Sequence, residues 1–259
     1  MREMSGDRTD PSVLAAGRDA SDPARHGIPE AMGRRRAGAR AALLLLADGR
    51  LPAGGHAHSA GMEAAVVDGG VRGLDDLALF LRGRLATAGL LSAAFAAAAC
   101  LASGSEQLLA ALDVELDART PSPAQRDASR AQGRTLLRAG RAAWDLTGVA
   151  LPTAPHHPIA LGVVAAAAGL EPADAALAAV HGAVSGPASA ATRLLGLDPL
   201  AVTGLQARLA EELDRTAAAA TAAAEAAAGA PDLLPAPSAV RLDLLAERHR
   251  AAPVRMFTS

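Results

Sequence analysis

The chain has 259 residues, is 51% hydrophobic and carries a formal net charge of −2. That length suits one large domain or two small ones, and so slight a charge lends no global support to nucleic-acid binding. Its single cysteine, Cys100, excludes an internal disulfide and any zinc site built from several cysteines. Most of the apolar content is Ala and Leu, with three Phe, one Trp and no Tyr. Ala and Leu are strong helix formers, and the aromatic and β-branched residues that favour strands are scarce. The expectation is all-α: a single-domain, multi-helix bundle of about ten helices.

Residues 1–38 mix Arg, Asp, Pro, Gly and Ala without periodicity and read as a disordered extension ahead of a helical domain over 39–259. The run GRRRAGARAALLLLAD at 33–48 imitates a signal peptide, but its apolar stretch is short and begins far from the first residue. A reducing cytoplasm is therefore expected. A first helix is predicted over 39–48.

Leu51, Pro52, Ala53, Gly54, Gly55, His56, Ala57, His58, Ser59, Ala60, Gly61, Met62 and Glu63 follow. Pro52 stops the preceding helix, Gly54 and Gly55 allow a close backbone approach, and Ser59 can cap the next helix. Three readings compete. A phosphate loop needs a Lys, and the chain has none. A metal site at His56 and His58 works only in an extended or turn conformation, because i and i+2 diverge on a helix. The third reading is a structural loop that packs a neck between helices or presents a protein-binding surface.

A helix over 57–68 stops at Gly69-Gly70. Leu74, Leu77, Leu81, Leu85 and Ala88 then share one face of a long helix ending near Gly104. Residues 85–105 carry no charge and approach the length needed to span a membrane. They are mostly Ala, with Thr87, Gly89 and Ser92, so a buried core helix is the reading, with Cys100 an inert thiol inside it. A helix over 105–118 precedes the Pro121/Pro123 break.

The next helix, to about Leu146, places Arg126, Arg130, Arg134 and Arg138 at i,i+4 spacing, rejoined by Arg141. Such a stripe is mildly self-repelling. Water, acids elsewhere in the chain, or a partner neutralises it. On another face Gly133 and Gly140 permit close helix packing. His156-His157, between prolines, is a loop cap or a transient metal contact. Helices follow over 158–168, 172–186 and 188–196, the last two divided at Gly186-Pro187. His181 reads as a satisfied core histidine, and Arg193 lies on the third of these helices. A long Ala-rich helix over 199–228 and a Pro-rich linker lead to a short helix capped by Ser238. The residues after Pro253 look unstructured alone.

Residues 51–63 resemble the LPxGGFSxSxGLE pattern of the urease accessory protein UreF family. The closing Arg255-Met256-Phe257-Thr258-Ser259 is similar to that family's RLFRS ending. The segments at 126–137 and 183–196 fit in the expected order, so the resemblance covers roughly 41–259. His56, Met62 and Thr258 depart from the pattern. The resemblance implies an all-α, dimeric accessory protein that binds UreD (also called UreH) and the GTPase UreG, docks on apo-urease, and helps nickel reach it. It implies no tightly bound cofactor, the nickel being handled by the complex, and no nucleic acid or membrane.

On that reading the partner-binding residues are Leu51, Pro52, Gly54, Gly55, Ser59, Gly61, Glu63, Arg126, Arg130, Arg134, Arg193, Arg255, Met256, Phe257 and Ser259. The tail 251–259 would order on a partner, with Phe257 as its apolar anchor. No active site stands out in the sequence. The alternative is a helical metal-dependent enzyme using His56, His58, His156 and His157, which requires their two loops to converge.

Overall fold

The computed structural model describes residues 38–49 and 51–259. The extension expected over 1–38 thus lies, but for Gly38, outside the described residues. Those residues form helices and turns, with no strand among them. In chain order they are α1 (Gly38–Ala47), α2 (Met62–Val67), α3 (Leu74–Arg84), α4 (Leu90–Leu101), α5 (Glu106–Ala118) and α6 (Pro123–Ala143). There follow α7 (His157–Ala167), α8 (Pro172–Leu195), α9 (Pro199–Arg208), α10 (Ala210–Ala226) and α11 (Val240–Ala251). A π-helical turn, Leu85–Gly89, joins α3 to α4 without a break.

Helix α4 is the centre of the bundle, with α7, α8 and α10 packed around it. Ala93, Ala94, Phe95, Ala96, Ala97 and Ala99 are wholly buried. The uncharged stretch is therefore the core helix its composition suggested. Small side chains set the interaxial distances. A Cβ at Gly162 of α7 would lie 2.2 Å from the Ala96 carbonyl oxygen, and one at Gly140 of α6 would lie 2.6 Å from Val164 Cγ2. A Cβ at Gly133 would come within 2.1 Å of the Pro155 carbonyl oxygen. The close packing expected at Gly133 and Gly140 thus occurs, against α7 and the loop before it. The Cys100 thiol, buried on α4, is pushed up to about 12 by burial and by the charges of Glu171 and Asp174, so it stays a thiol.

Side-chain caps explain several boundaries. Ser105 accepts from Leu108 N–H at the start of α5, Ser122 from Gln125 N–H at the start of α6, and Asp198 from Leu200 N–H at the start of α9. Glu171 and Asp174 cap α8 reciprocally.

Five expectations change. Gly186-Pro187 does not divide α8, which runs through Pro187. A proline there cannot donate to the Ala183 carbonyl. Arg84 Nε reaches across from α3 and donates to that oxygen instead, at 3.1 Å. The helix expected over 199–228 bends at Leu209 into α9 and α10. Helix α2 starts at Met62 rather than near 57, because Ala60 (φ 54) and Gly61 (φ 88) are left-handed. Ser238 caps nothing, since Ala239 occupies the N-cap of α11 and no side chain caps it. His181 is not satisfied either: its Nδ1 is buried without a partner.

Candidate functional site

The loop 51–63 and the tail 255–259, almost two hundred residues apart, meet. Gly54 (φ 78), which lies beside Thr135 of α6, turns the chain into a single 3-10 turn, Gly55–Ala57. Past it the backbone extends and pairs with the tail. Thr258 N–H donates to the Ala57 carbonyl at 2.8 Å, and Ser59 N–H donates to the Ser259 carbonyl at 2.6 Å. Ser59 Oγ donates to the same oxygen at 3.0 Å, and His58 Nδ1 meets Ser259 Oγ at 2.5 Å. Ser59, read as a helix cap, also accepts from Glu63 N–H at 3.3 Å.

Glu63 is the hub of this unit. Its buried carboxylate accepts from Met256 N–H at 2.6 Å, Phe257 N–H at 2.9 Å and His249 Nε2 of α11 at 2.8 Å. Burial pushes its carboxyl up, but those hydrogen bonds together outweigh burial and hold it below the ordinary carboxylate range. Phe257 is 5% exposed and belongs to the core, with the Arg193 guanidinium 4.7 Å above its ring centroid. The expectation of a tail that orders only on a partner is corrected by these contacts. The Phe257 anchor is seated in its own chain, because Glu63 offers the extended tail a buried acceptor for two successive N–H groups. Met256 and Val254 point outward, 58% and 86% exposed.

The other expected contact residues fall into two groups. Leu51 packs against the core while Pro52 and Gly55 are exposed, and Gly61 lies 3.6 Å from Leu242 of α11, measured from the position of a Cβ. The arginine stripe is split. Arg130 pairs with Asp113 at 2.9 Å and Asp117 at 2.7 Å, and donates to the Ala154 carbonyl. Arg126 donates to the carbonyls of Thr120 and Pro121. Arg134, Arg138 and Arg141 are exposed and form no ion pair among the described residues. Two of the five arginines are engaged within the chain and three stay free.

His156 is fully buried and joins the cluster around Arg130. Its backbone N–H donates to Asp113 at 2.8 Å, its Nε2 meets Asp117 at 2.8 Å, and its Nδ1 meets Ser129 at 3.0 Å. Burial lowers the imidazole below its usual value despite the opposing bond to Asp117. In the neutral ring, Nε2–H donates to the carboxylate and Nδ1 accepts from the Ser129 hydroxyl, whose oxygen also takes the His157 N–H. Every polar atom is spent on holding the loop between α6 and α7. His157 turns the other way, into a crevice of about 580 Å³ that His58 also lines. Its ring is pushed down to about 4, by burial first and by His58 second. The two histidine loops do converge, but as one facing pair. His56 is exposed and His156 is engaged elsewhere, so the four do not form one set. Among the described residues no group of three or more His, Cys, Asp or Glu is placed to hold a metal ion.

Arg84, His249, Asp113 and Asp117 were not singled out from the sequence. Pro187 inside a helical pattern signals an orphaned carbonyl at Ala183, but nothing local names Arg84 as its donor. His249 lies on a weakly amphipathic helix, where nothing marks its distant acid.

A family model described as UreF matches residues 71–210. The urease accessory protein UreF of Mycobacterium sp. (strain JLS) is 47% identical over 220 residues, covering 84% of this chain and 97% of that protein. The urease accessory proteins UreF of Mycobacterium marinum and Mycolicibacterium vanbaalenii are each 44% identical, covering 85% of this chain and 98% of theirs. With a family model over more than half of the chain and relatives 44–47% identical across most of it, this chain belongs to the UreF family of urease accessory proteins.

Proposed function

We propose that this protein is a non-catalytic adaptor of urease maturation. It joins UreD/UreH to the GTPase UreG on apo-urease so that nickel, as cargo, reaches the enzyme, and it works as a homodimer in the cytoplasm. The observation that supports this reading is the loop–tail unit. Two segments typical of the family are pinned side by side by Glu63 and Ser59, leaving Val254, Arg255 and Met256 outward on a fixed backbone. A preorganised extended segment loses less entropy on binding than a free one. Exposed Val240 and Leu244 on α11 add apolar area, suited to UreD/UreH. The free arginines Arg134, Arg138 and Arg141 suit an acidic partner surface.

The test is co-expression with UreD and UreG from the same source, followed by size exclusion with light scattering. Wild type should co-elute in a complex. A Val254→Asp/Met256→Asp variant, which leaves the buried seat at Glu63 intact, should lose it while remaining helical and monodisperse. A folded wild-type chain that co-elutes with neither protein would end the adaptor reading.

A further inference from the structure

Arg84 makes two hydrogen bonds, both to main-chain carbonyls. Nε serves Ala183 beside Pro187, and Nη1 serves the left-handed Ala60 at 3.0 Å. Nη2 has no partner among the described residues, and the side chain lines the 580 Å³ crevice. Burial pushes the guanidinium down to about 10, and no neighbouring carboxylate opposes it. Charges taken out of water are ordinarily paired. Of the crevice's other cations, Arg250 pairs with Asp127 and His249 with Glu63, while Arg255 of the tail also lines it and forms no ion pair among the described residues.

The remaining polar ends that face the crevice are donors or can be donors. The side-chain amides of Gln125 and Gln132 make no hydrogen bond among the described residues, and the His157 ring is free. Asp127, the one Asp or Glu among the crevice's lining residues, is already occupied by Arg250. The volume falls in the range of small-ligand sites. An uncommitted guanidinium N–H pair with amide and imidazole donors around it matches the acceptor set of a tetrahedral oxyanion.

We propose that this crevice binds a small soluble oxyanion of the phosphate or sulfate class, held by Arg84 and neutralising it. The crevice lies under the tail, and the outward Val254 and Met256 do not line it.

Titration calorimetry of the full chain with inorganic phosphate and with sulfate, at ionic strength held constant by sodium chloride, tests this. One saturable site per chain is expected. Arg84→Gln should weaken it by about tenfold or more, the loss expected for a charge-assisted hydrogen bond. Because Arg84 also supports two carbonyls, that variant can fail to fold, which far-UV circular dichroism will reveal. Ala128→Phe, which fills the crevice and leaves every Arg84 bond in place, then decides, and it should abolish binding. Absence of saturable binding in wild type, or unchanged binding in a folded Ala128→Phe or Arg84→Gln chain, overturns the proposal.

Discussion

Two carboxylate–histidine pairs, each with a buried imidazole, have nearly the same geometry. Asp117 meets His156 Nε2 at 2.8 Å, and Glu63 meets His249 Nε2 at 2.8 Å. Their surroundings differ. The first is wedged among α5, α6 and α7, with Arg130, Asp113 and Ser129 completing it, all from the contiguous segment 113–156. The second joins α2 to α11 and supports an extended tail through two N–H groups and one ring. A helix-locked cluster opens only when its helices part, whereas a tail with few contacts opens locally at lower cost. The same chemistry is a bolt in one place and a latch in the other.

The sharpest way to break that comparison is Asp113→Ala. It leaves the buried His156 N–H without its acceptor and removes one of the two carboxylates that pair with Arg130. A loss of about 3 kcal/mol of global stability is expected in a urea melt. Glu63→Gln should act locally. It removes the charge that receives Met256, Phe257 and His249, at about 2 kcal/mol. The expected result is faster amide exchange at residues 256 and 257 with a nearly unchanged melt. A global loss as large as that of Asp113→Ala would make both clusters bolts.

Acid sharpens the contrast. Burial raises the Asp117 carboxyl, but the bonds from His156 and Arg130 win and hold it below its ordinary value, as with Glu63. A carboxyl depressed in the folded state is bound more weakly by protons there than in the unfolded chain. The stability it contributes is therefore complete above the unfolded value of about 4 and is lost as pH falls through the folded one. Tail exchange should rise first on acidification, and helical ellipticity should fall at lower pH. Coincident transitions would remove the distinction. The smallest effect is expected from Arg193→Met, which deletes the cation over Phe257 at an exposed site and should loosen the tail by about 0.5 kcal/mol.

Much of the helical plan was legible locally. Ser105, Ser122 and Pro172 mark helix starts by their own chemistry, and Gly133 and Gly140 announced close packing. The errors have physical causes. Pro187 breaks a helix unless a donor serves the orphaned carbonyl, and the donor, Arg84, is about a hundred residues away. The tail looked unstructured because its acceptor, Glu63, lies near the other end of the domain. At the candidate site the loop and tail were both recognised, but not that they bind each other. Arg126 and Arg130 were grouped with Arg134, although acids on α5 occupy only part of the stripe.

Composition and periodicity determined that this protein is helical, where most of its helices begin, and that residues 85–105 form a core, because those properties depend on neighbours within a turn or two. The tertiary structure alone decided which charges are spent and which remain available. Ion pairs and orphaned carbonyls are settled by groups within about 4 Å in space, whatever their distance along the chain. That is why Arg130 became structural, Arg134 stayed free, and Arg84 was left in a crevice without a counter-ion.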